Sequence, residues 1–256
     1  MASRKEQREQ ARAEREAREA AERAKAQRNK RMLQLGGALV AVAAIVVAVI
    51  LIAGGGDDKK TASSDGGGPN GKSQAAQLLD GIPQSGSTLG KPDAPVTVTE
   101  FADLQCPFCR DYTINQFPGI VAKYVKTGKV KMVFKNYAFI GPDSLTAARA
   151  AEAAGKQNKL WYFIDVFYNN QGDENTDYVT DAFLKKIAEG AGVDADKMLT
   201  DRQDPKIDTA IAKAQQDAQQ AGVNSTPTFL VQRGSQPPKK ASAQQIEATL
   251  AAAAGG

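Results

Sequence analysis

The chain lacks histidine altogether and contains only two cysteines among its 256 residues. A framework of disulfides is therefore excluded, because one pair of cysteines supplies at most a single bridge. A closed structural zinc site needs four ligands, and without histidine only carboxylates are left to complete a set begun by two cysteines. No glycine-rich loop of the kind that cradles phosphate opens a helix after a strand. We therefore expect no metal, nucleotide or flavin cofactor.

The two cysteines lie three residues apart, at Cys106 and Cys109, with Pro107 and Phe108 between them. They follow residues 96–101, an apolar run that predicts a β-strand. A bridge across so short a loop stabilises a fold by only about 2 kcal/mol in the chain-entropy model. The position of the pair after a strand therefore favours redox chemistry over a structural role.

Positive charge is concentrated in residues 1–31, which hold eleven Lys and Arg against six Glu. The whole chain has a formal net charge of +4, so the part after the arm is close to neutral. Binding to nucleic acid is not expected of that part, because it would need clustered positive charge. The arm itself favours helix and is typical of a solvated, charged segment, with contact to anionic lipid as the alternative.

Residues 32–53 contain no charged side chain, and residues 39–53 consist only of Leu, Val, Ile and Ala. As a helix this segment would span about 33 Å, enough for a hydrocarbon core of about 30 Å. Since the basic arm precedes it, the positive-inside rule places the N-terminus in the cytoplasm. A cleaved signal peptide is the alternative, but its apolar region would have about 7–15 residues and a shorter basic lead.

We therefore expect four segments along the chain. They are a cytoplasmic basic helical arm at 1–31, a single N-terminal transmembrane helix at 32–53, a flexible linker at 54–76 and an extracytoplasmic domain at 77–256. The protein would then cross the cell membrane once and contact membrane lipid through this anchor. Its cysteines would lie in a compartment where disulfides persist.

Strand and helix patterns alternate in the domain. Strand patterns occur at residues 96–101, 129–134 and 228–231. The helix after Cys106 is expected to reach about residue 126, with a kink or break at Pro118-Gly119. Helical patterns fill about residues 142–221 and return at 243–254. This order predicts an α/β, thioredoxin-like fold that is split by a helical insertion.

Three stretches of the domain carry a resemblance to a known family. They are residues 89–96, residues 100–109, with the sequence EFADLQCPFC, and residues 222–229, with the sequence GVNSTPTF. A CxxC motif alone is a weak signal, whereas this lead-in together with a Thr-Pro before a late strand is specific. Over about residues 82–231 the chain resembles the DsbA-like thiol–disulfide oxidoreductases, in particular the membrane-anchored ones of Gram-positive bacteria.

The resemblance implies that Cys106 is the nucleophile at a helix N-terminus and Cys109 its more buried partner. Free backbone N–H groups and the helix dipole would stabilise a thiolate there, and Pro107 suits the first helical turn. The resemblance also implies that Pro227 is the family's cis-proline and that Thr226 offers its backbone to an extended substrate. An ordinary trans Thr-Pro turn is the alternative.

Glu100 aligns with an acidic residue beneath the family's active site, where it would assist proton transfer at Cys109. The alternative is a carboxylate at a strand end that faces solvent. Phe108 stands where the best-known members have histidine, and we expect it to be exposed at a substrate groove. Without an imidazolium, the pKa of Cys106 is expected below the ordinary value of about 8.5 but above the value of about 3.5 given for DsbA. The aromatic residues within 161–168 are expected to be core.

The sequence therefore predicts an extracytoplasmic thiol–disulfide oxidoreductase that donates its Cys106–Cys109 disulfide to folding exported proteins through a mixed disulfide. A membrane partner or a small-molecule oxidant would then reoxidise the pair. Two alternatives stay open. The same chemistry would run in reverse in a reductase or isomerase, and an inert cysteine pair would leave a non-catalytic peptide-binding module.

Overall fold

The computed structural model of the protein describes residues 77–255. The predicted arm, transmembrane helix and linker, residues 1–76, lie outside the described residues. Within 77–255, no helix combines the length and apolar character needed to cross a bilayer.

A six-stranded mixed sheet forms the centre of the described part. Its strands are β1 (Gln84–Ser85), β2 (Thr88–Leu89), β3 (Val96–Ala102), β4 (Val130–Asn136), β5 (Thr228–Arg233) and β6 (Lys239–Ser242). They lie in the order β1-β2-β4-β3-β5-β6. Strands β3 and β4 are parallel, from Val96 opposite Val130 to Ala102 opposite Asn136, whereas β5 pairs antiparallel with β3. The chain therefore reaches Cys106 from the end of a central strand.

Strand β3 is buried on both faces of the sheet. Val98 and Ala102 belong to the main core, whereas Phe101 packs in a smaller cluster with Ala218 and Val223 on the opposite face. Because side chains alternate along a strand, Glu100 lies on the same face as Val98 and Ala102. An acidic residue is thus directed into the apolar side of the sheet.

The helices surround this sheet. They are α1 (Pro107–Asn115), α2 (Phe117–Ile120), α3 (Pro142–Lys156), α4 (Leu160–Asn169), α5 (Asp181–Ala191), α6 (Ala195–Asp201), α7 (Pro205–Gln220) and α8 (Ile246–Ala254). Helix α2 continues as a π-helical segment, Val121–Val125, in which the Lys126 N–H donates to the carbonyl of Val121 at 2.9 Å. Helices α3 to α7 confirm the predicted helical insertion between the second and third long strands.

The helix after Cys106 is interrupted earlier than the sequence predicts. Helix α1 ends at Asn115, the backbone turns at Gln116, and α2 begins with Pro118 in its first turn. A proline tolerates the first turn of a helix but not its interior, so the chain restarts the helix just before Pro118. The predicted break is confirmed, and its position is shifted by the need to place the proline near a helix start.

The edges of the sheet differ most from the prediction. The two-residue strands β1 and β2 were not expected, because two residues carry no periodic signal. The sequence of residues 233–240 predicts a turn and a poorly formed edge strand, and strand β6 forms at Lys239–Ser242, at the end of that stretch and beyond it. The last helix begins at Ile246 rather than at residue 243.

Four of the five aromatic residues of α4 are core, as expected, whereas Tyr162 is only partly buried and packs against the core. Trp161 is buried, stacks on Phe117 with ring centroids 5.4 Å apart and meets Phe134 edge-on at 5.8 Å. Phe167 and Tyr168 are buried as well. Helix α4 thereby joins the insertion to the sheet and to the helix that carries the cysteines.

Candidate active site

The cysteine pair lies at the start of α1. Cys106 is the N-cap, with φ −70° and ψ 120°, and Pro107 is the first helical residue. The Cys106 N–H donates to the carbonyl of Asp103 at 2.9 Å, and the Cys106 carbonyl accepts the N–H of Arg110 at 3.1 Å. The side chain of Cys106 is thus held beside the free N–H groups of the first turn, where negative charge is favoured.

The two thiols differ in their tendency to ionise. Both are free in this structure, with Cys106 4% exposed and Cys109 fully buried. A hydrogen bond from the Cys109 thiol is the largest cause that lowers the pKa of Cys106 from 9.0 to about 6, assisted by Thr226 and by the N–H groups of Phe108 and Cys109. Burial, together with the neighbouring Cys106, raises the pKa of Cys109 well above its ordinary value. At neutral pH the pair therefore holds one thiolate, on Cys106.

The value for Cys106 falls in the interval expected from the sequence, above about 3.5 and below about 8.5. The helix N-terminus is not the main cause of the lowered pKa of Cys106. The partner thiol contributes most, and partial burial of Cys106 opposes the shift.

Thr226 lies against the pair, although it is 120 residues away from Cys106 in the chain, and Pro227 follows it directly. The Thr226-Pro227 peptide bond is cis, so the trans alternative is wrong. The Cys106 Sγ donates to the backbone carbonyl of Thr226 at 3.5 Å. Only the protonated form of Cys106 can make this hydrogen bond, because a thiolate has no proton to donate.

Glu100 lies beneath the site rather than at the surface. It is 1% exposed, between Phe134 and Phe229 on the neighbouring strands, so the solvent-facing alternative is wrong. Burial raises the pKa of Glu100 from 4.5 to about 8. Its charge in turn contributes to the raised pKa of the buried Tyr112 and Tyr168. At neutral pH this carboxyl group holds a proton inside the core.

Phe108 projects from the site into solvent. Its side chain is 72% exposed, whereas both cysteines of the motif are buried. An exposed phenyl ring beside a reactive thiol offers an apolar surface to a bound polypeptide.

A buried carboxylate fixes the loop that leads to Cys106. Asp103 is 1% exposed and accepts three backbone N–H bonds, from Gln105 at 2.9 Å, Phe139 at 2.8 Å and Ile140 at 3.0 Å. It therefore ties the loop after β3 to the loop before α3. Sequence reasoning missed this role, since the partners are backbone groups.

The helical insertion holds the same loop from the other side. The Gln171 Nε2 donates to the carbonyl of Leu104 at 2.7 Å and to that of Cys106 at 3.2 Å. The Tyr168 hydroxyl donates to the carbonyl of Asp103 at 3.1 Å, and the Arg110 Nε donates to the carbonyl of Tyr168 at 3.1 Å. None of these contacts had a local sequence signal.

Gln105 extends these contacts to two further parts of the insertion. Its Nε2 donates to the Ser144 Oγ at 3.0 Å, and its Oε1 accepts the N–H of Asn175 at 2.8 Å. Both polar residues of this loop, Asp103 and Gln105, are therefore hydrogen-bonded to the insertion or to the loop that precedes it. The reactive residues are presented by a loop with little freedom to move.

Comparison with known proteins agrees with this geometry. A family model described as thioredoxin matches residues 84–250, more than half of the chain. A probable disulfide bond formation protein D of Bacillus cereus is 36% identical over 148 residues, which cover 56% of this chain and 68% of that protein. Disulfide bond formation protein D of Bacillus subtilis is 30% identical over 167 residues, which cover 63% and 75%.

Solved structures show the same relationship. The crystal structure of oxidised BdbD from Bacillus subtilis is similar with a TM-score of 0.59 and 27% identity, covering 68% of this chain and 98% of that one. A thioredoxin-like oxidoreductase from Silicibacter pomeroyi is similar with a TM-score of 0.54 and 28% identity, covering 71% and 98%. The chain therefore belongs to the thioredoxin family and, within it, to the DsbA-like thiol–disulfide oxidoreductases.

Proposed function

We propose that this protein donates the Cys106–Cys109 disulfide to exported proteins and so forms disulfides in them. The observation that carries the proposal is the unequal ionisation of the two thiols, with the pKa of Cys106 at about 6 and that of Cys109 raised. A stabilised thiolate favours the reduced enzyme, and the disulfide form is then an oxidant. The names of the Bacillus relatives, which refer to disulfide bond formation, support this direction.

The first step forms a mixed disulfide. A substrate thiolate attacks the Sγ of Cys106, the bond between Cys106 and Cys109 breaks, and the electron pair leaves on Cys109. Because the pKa of Cys109 is raised, this leaving group takes up a proton. Glu100, which is protonated at neutral pH, is the proton source that we assign.

The second step releases the oxidised substrate. The other thiolate of the substrate attacks the substrate sulfur of the mixed disulfide, and Cys106 leaves as a thiolate. Its pKa of about 6 makes it a good leaving group at neutral pH. Two electrons have then passed from the substrate to the enzyme. A membrane partner or a small-molecule oxidant must remove them before the next cycle.

Substrate binding is assigned to the groove beside Thr226. The Thr226 backbone faces Cys106, and an extended chain placed there would pair with it as an added strand. The exposed ring of Phe108 would contact apolar side chains of the same chain. The backbone pairing is independent of substrate sequence, and the contact with Phe108 requires only an apolar side chain, which suits an enzyme that acts on many unfolded clients.

The reduction potential of the Cys106–Cys109 pair tests the direction. The full-length protein, held in detergent micelles, would be equilibrated with mixtures of reduced and oxidised glutathione. A value near the −120 mV that is typical of DsbA supports the proposal, whereas a value near about −270 mV, as in thioredoxin, would identify a reductant.

Trapping tests the chemistry separately. In cells, Cys109→Ser should accumulate mixed disulfides between Cys106 and client proteins, because the resolving partner is absent. The matched Cys106→Ser variant should trap none. Equal recovery of clients with both variants would indicate a non-catalytic binding module.

We also propose that residues 32–53 anchor the domain outside the cytoplasm. The support is the uncharged segment preceded by eleven Lys and Arg. In intact cells treated with a membrane-impermeant reductant, which opens the Cys106–Cys109 disulfide, a membrane-impermeant maleimide should label Cys106. It should not label a Ser3→Cys variant in which Cys106 and Cys109 are serine. Labelling of residue 3 but not of Cys106 would show that the N-terminus lies outside and the domain in the cytoplasm, opposite to the proposal.

A further inference from the structure

A pocket of about 350 Å³ lies between the helix that carries the cysteines and the insertion. Its lining comes from Thr113 and Ile114 of α1, Pro118 of α2, Asp165 and Asn169 of α4, and the first described residues, Gln77 and Leu78. The volume is at the lower end of the range found for ligand pockets, about 300–1,000 Å³. A pocket of this size suits one side chain of a polypeptide rather than a large cofactor.

The floor of this pocket contains an unpaired carboxylate. Asp165 is 5% exposed, and its Oδ2 is buried without a hydrogen-bond partner among the described residues. The Asn169 side chain donates to the backbone carbonyl of Asp165 at 2.8 Å rather than to the carboxylate. Burial raises the pKa of Asp165 from 3.8 to about 6, and no cation among residues 77–255 opposes the shift.

Two other carboxylates of the insertion are paired with lysines, whereas the Oδ2 of Asp143, like that of Asp165, has no hydrogen-bond partner among the described residues. Asp204 meets the Lys156 Nζ at 2.9 Å, and Asp217 meets the Lys213 Nζ at 2.6 Å. Asp165 is less exposed than either and is therefore the more costly to leave without a counter-charge. A buried polar atom without a partner calls for a physical reason, and a missing cationic ligand is such a reason.

The chemistry of the pocket selects an organic monocation over a metal ion. In residues 77–255, no group of three or more acidic or cysteine side chains is placed to hold a metal. Leu78, Ile114 and Pro118 provide apolar surface beside the carboxylate. Lys and Arg combine a charged head with an aliphatic stem of this kind.

We propose that this pocket binds the side chain of a Lys or Arg from a partner polypeptide, with Asp165 as its counter-charge. The carboxylate is already desolvated by the fold, so an incoming cation gains the stronger attraction of a low-dielectric site. The stem packs on Ile114 and Pro118. The Thr113 hydroxyl and the Asn169 amide oxygen can accept the remaining N–H groups.

The position of the pocket relates it to the thiol site. Ile114 lies eight residues after Cys106, which is about 12 Å along a helix. Roughly four extended residues span that distance. If the proposed function holds, a client joined to Cys106 would place a basic residue close to its cysteine in this pocket, and the pocket would favour such clients.

A peptide without cysteine tests the site independently of the redox chemistry. The full-length protein in detergent micelles, with methyl-labelled Ile and Leu, would be titrated with Ac-Gly-Ala-Lys-Ala-Gly-NH2, its Arg analogue and its norleucine analogue. The methyl resonances of Ile114 and Leu78 should shift and saturate with the Lys and Arg peptides. Norleucine, which keeps the stem and lacks the charge, should bind at least about tenfold more weakly.

Two variants and a control complete the test. Asp165→Asn should weaken binding of the Lys peptide by about tenfold or more, whereas Asp111→Asn, which removes an exposed charge from α1, should leave it within about twofold. Ile114→Trp should block the pocket, with Leu78 as the reporter. Equal binding of the Lys and norleucine peptides, or unchanged binding to Asp165→Asn, would overturn the proposal. Neither result would bear on disulfide donation.

Discussion

The sheet with its cysteine helix and the helical insertion contribute different things to the site. In the proposed function, the first supplies the groups that react or contact the substrate beside the thiols, namely Cys106, Cys109, Glu100, Thr226 and Pro227. The insertion supplies none of these five residues, but its residues Tyr168, Gln171, Ser144 and Asn175 bind the loop that presents Cys106. The groups assigned to the reaction thus come from the sheet and its cysteine helix, while the hydrogen bonds that hold the reactive loop come from the insertion.

Among the substitutions that test this comparison, the one at Cys106 should have the largest effect on activity. Cys106→Ser should abolish oxidation of a reduced two-cysteine substrate, because no Cys106–Cys109 disulfide remains for the substrate thiolate to attack. The free energy of unfolding should change by less than about 1 kcal/mol, since the substitution is nearly isosteric. Catalysed substrate oxidation and denaturant unfolding measure the two quantities. Residual turnover above the uncatalysed rate would show that Cys109 reacts directly with substrate.

Asp103 should have the largest effect on stability. Asp103→Ala leaves three backbone N–H groups of the buried loops without their acceptor, and we expect a loss of about 3 kcal/mol or more. Activity should fall too, since the loop before Cys106 is released. Asp93→Ala, which removes an exposed carboxylate ahead of β3, is the control and should change stability by less than about 0.5 kcal/mol. Similar unfolding midpoints for both variants would contradict this role of Asp103.

The difference between the two regions also explains what could be predicted from the sequence. Cys106, Cys109 and Pro227 stand in short motifs, and the strands and helices around them have clear periodicity. Asp103 and Gln105 were visible only as part of the lead-in, because their partners lie 36 to 70 residues away. Gln171 follows the end of α4 and has no motif at all. Hydrogen bonds between loops depend on the packed fold, and hydrophobic periodicity carries no information about them.

The burial of Glu100 is another feature that could not be predicted from the sequence. The resemblance predicts a position beneath the active site, whereas the place of Glu100 at the end of a strand also fits a carboxylate that faces solvent. Sequence alone therefore leaves both the buried and the exposed alternatives open. The burial of that face by Phe134 and Phe229 decides the matter.

The pH dependence of stability follows from the burial of Glu100. Its pKa is raised from 4.5 to about 8, so the folded state holds a proton that the unfolded state releases in this interval. The associated stability is complete below pH 4.5 and is lost as the pH rises towards about 8. Glu100→Gln should therefore stabilise the protein at pH 8.5 relative to wild type by at least about 1 kcal/mol, with little difference at pH 4.

Unfolding in denaturant at both pH values measures the difference between variant and wild type. Glu189→Gln, which changes an exposed carboxylate of α5, is the matched control and should show no such dependence. A stability difference for Glu100→Gln that is the same at both pH values would mean that folding does not shift the pKa of Glu100.

Gln171 gives the sharpest test of the comparison. Gln171→Ala removes two hydrogen bonds to the carbonyls of Leu104 and Cys106, at a cost of about 1–2 kcal/mol. Without this donor, the Leu104 carbonyl loses its side-chain partner and the Cys106 carbonyl keeps only the N–H of Arg110, so the negative ends of both dipoles are less compensated in the loop that carries the thiolate. The pKa of Cys106 should rise and the reduction potential should become more negative. The ultraviolet absorbance of the thiolate during a pH titration follows the first quantity, and glutathione equilibration follows the second.

Gln157→Ala distinguishes positioning from simple loss of stability. Gln157 also makes two hydrogen bonds, donating to the carbonyl of Asp194 at 3.1 Å and accepting its N–H at 2.9 Å, but both lie within the insertion. We expect a similar loss of stability with an unchanged pKa of Cys106. If both variants alter the thiol equally, the insertion acts on the site through its overall stability. If only Gln171→Ala does, a single amide from the insertion sets the chemistry of a cysteine 65 residues away in the chain.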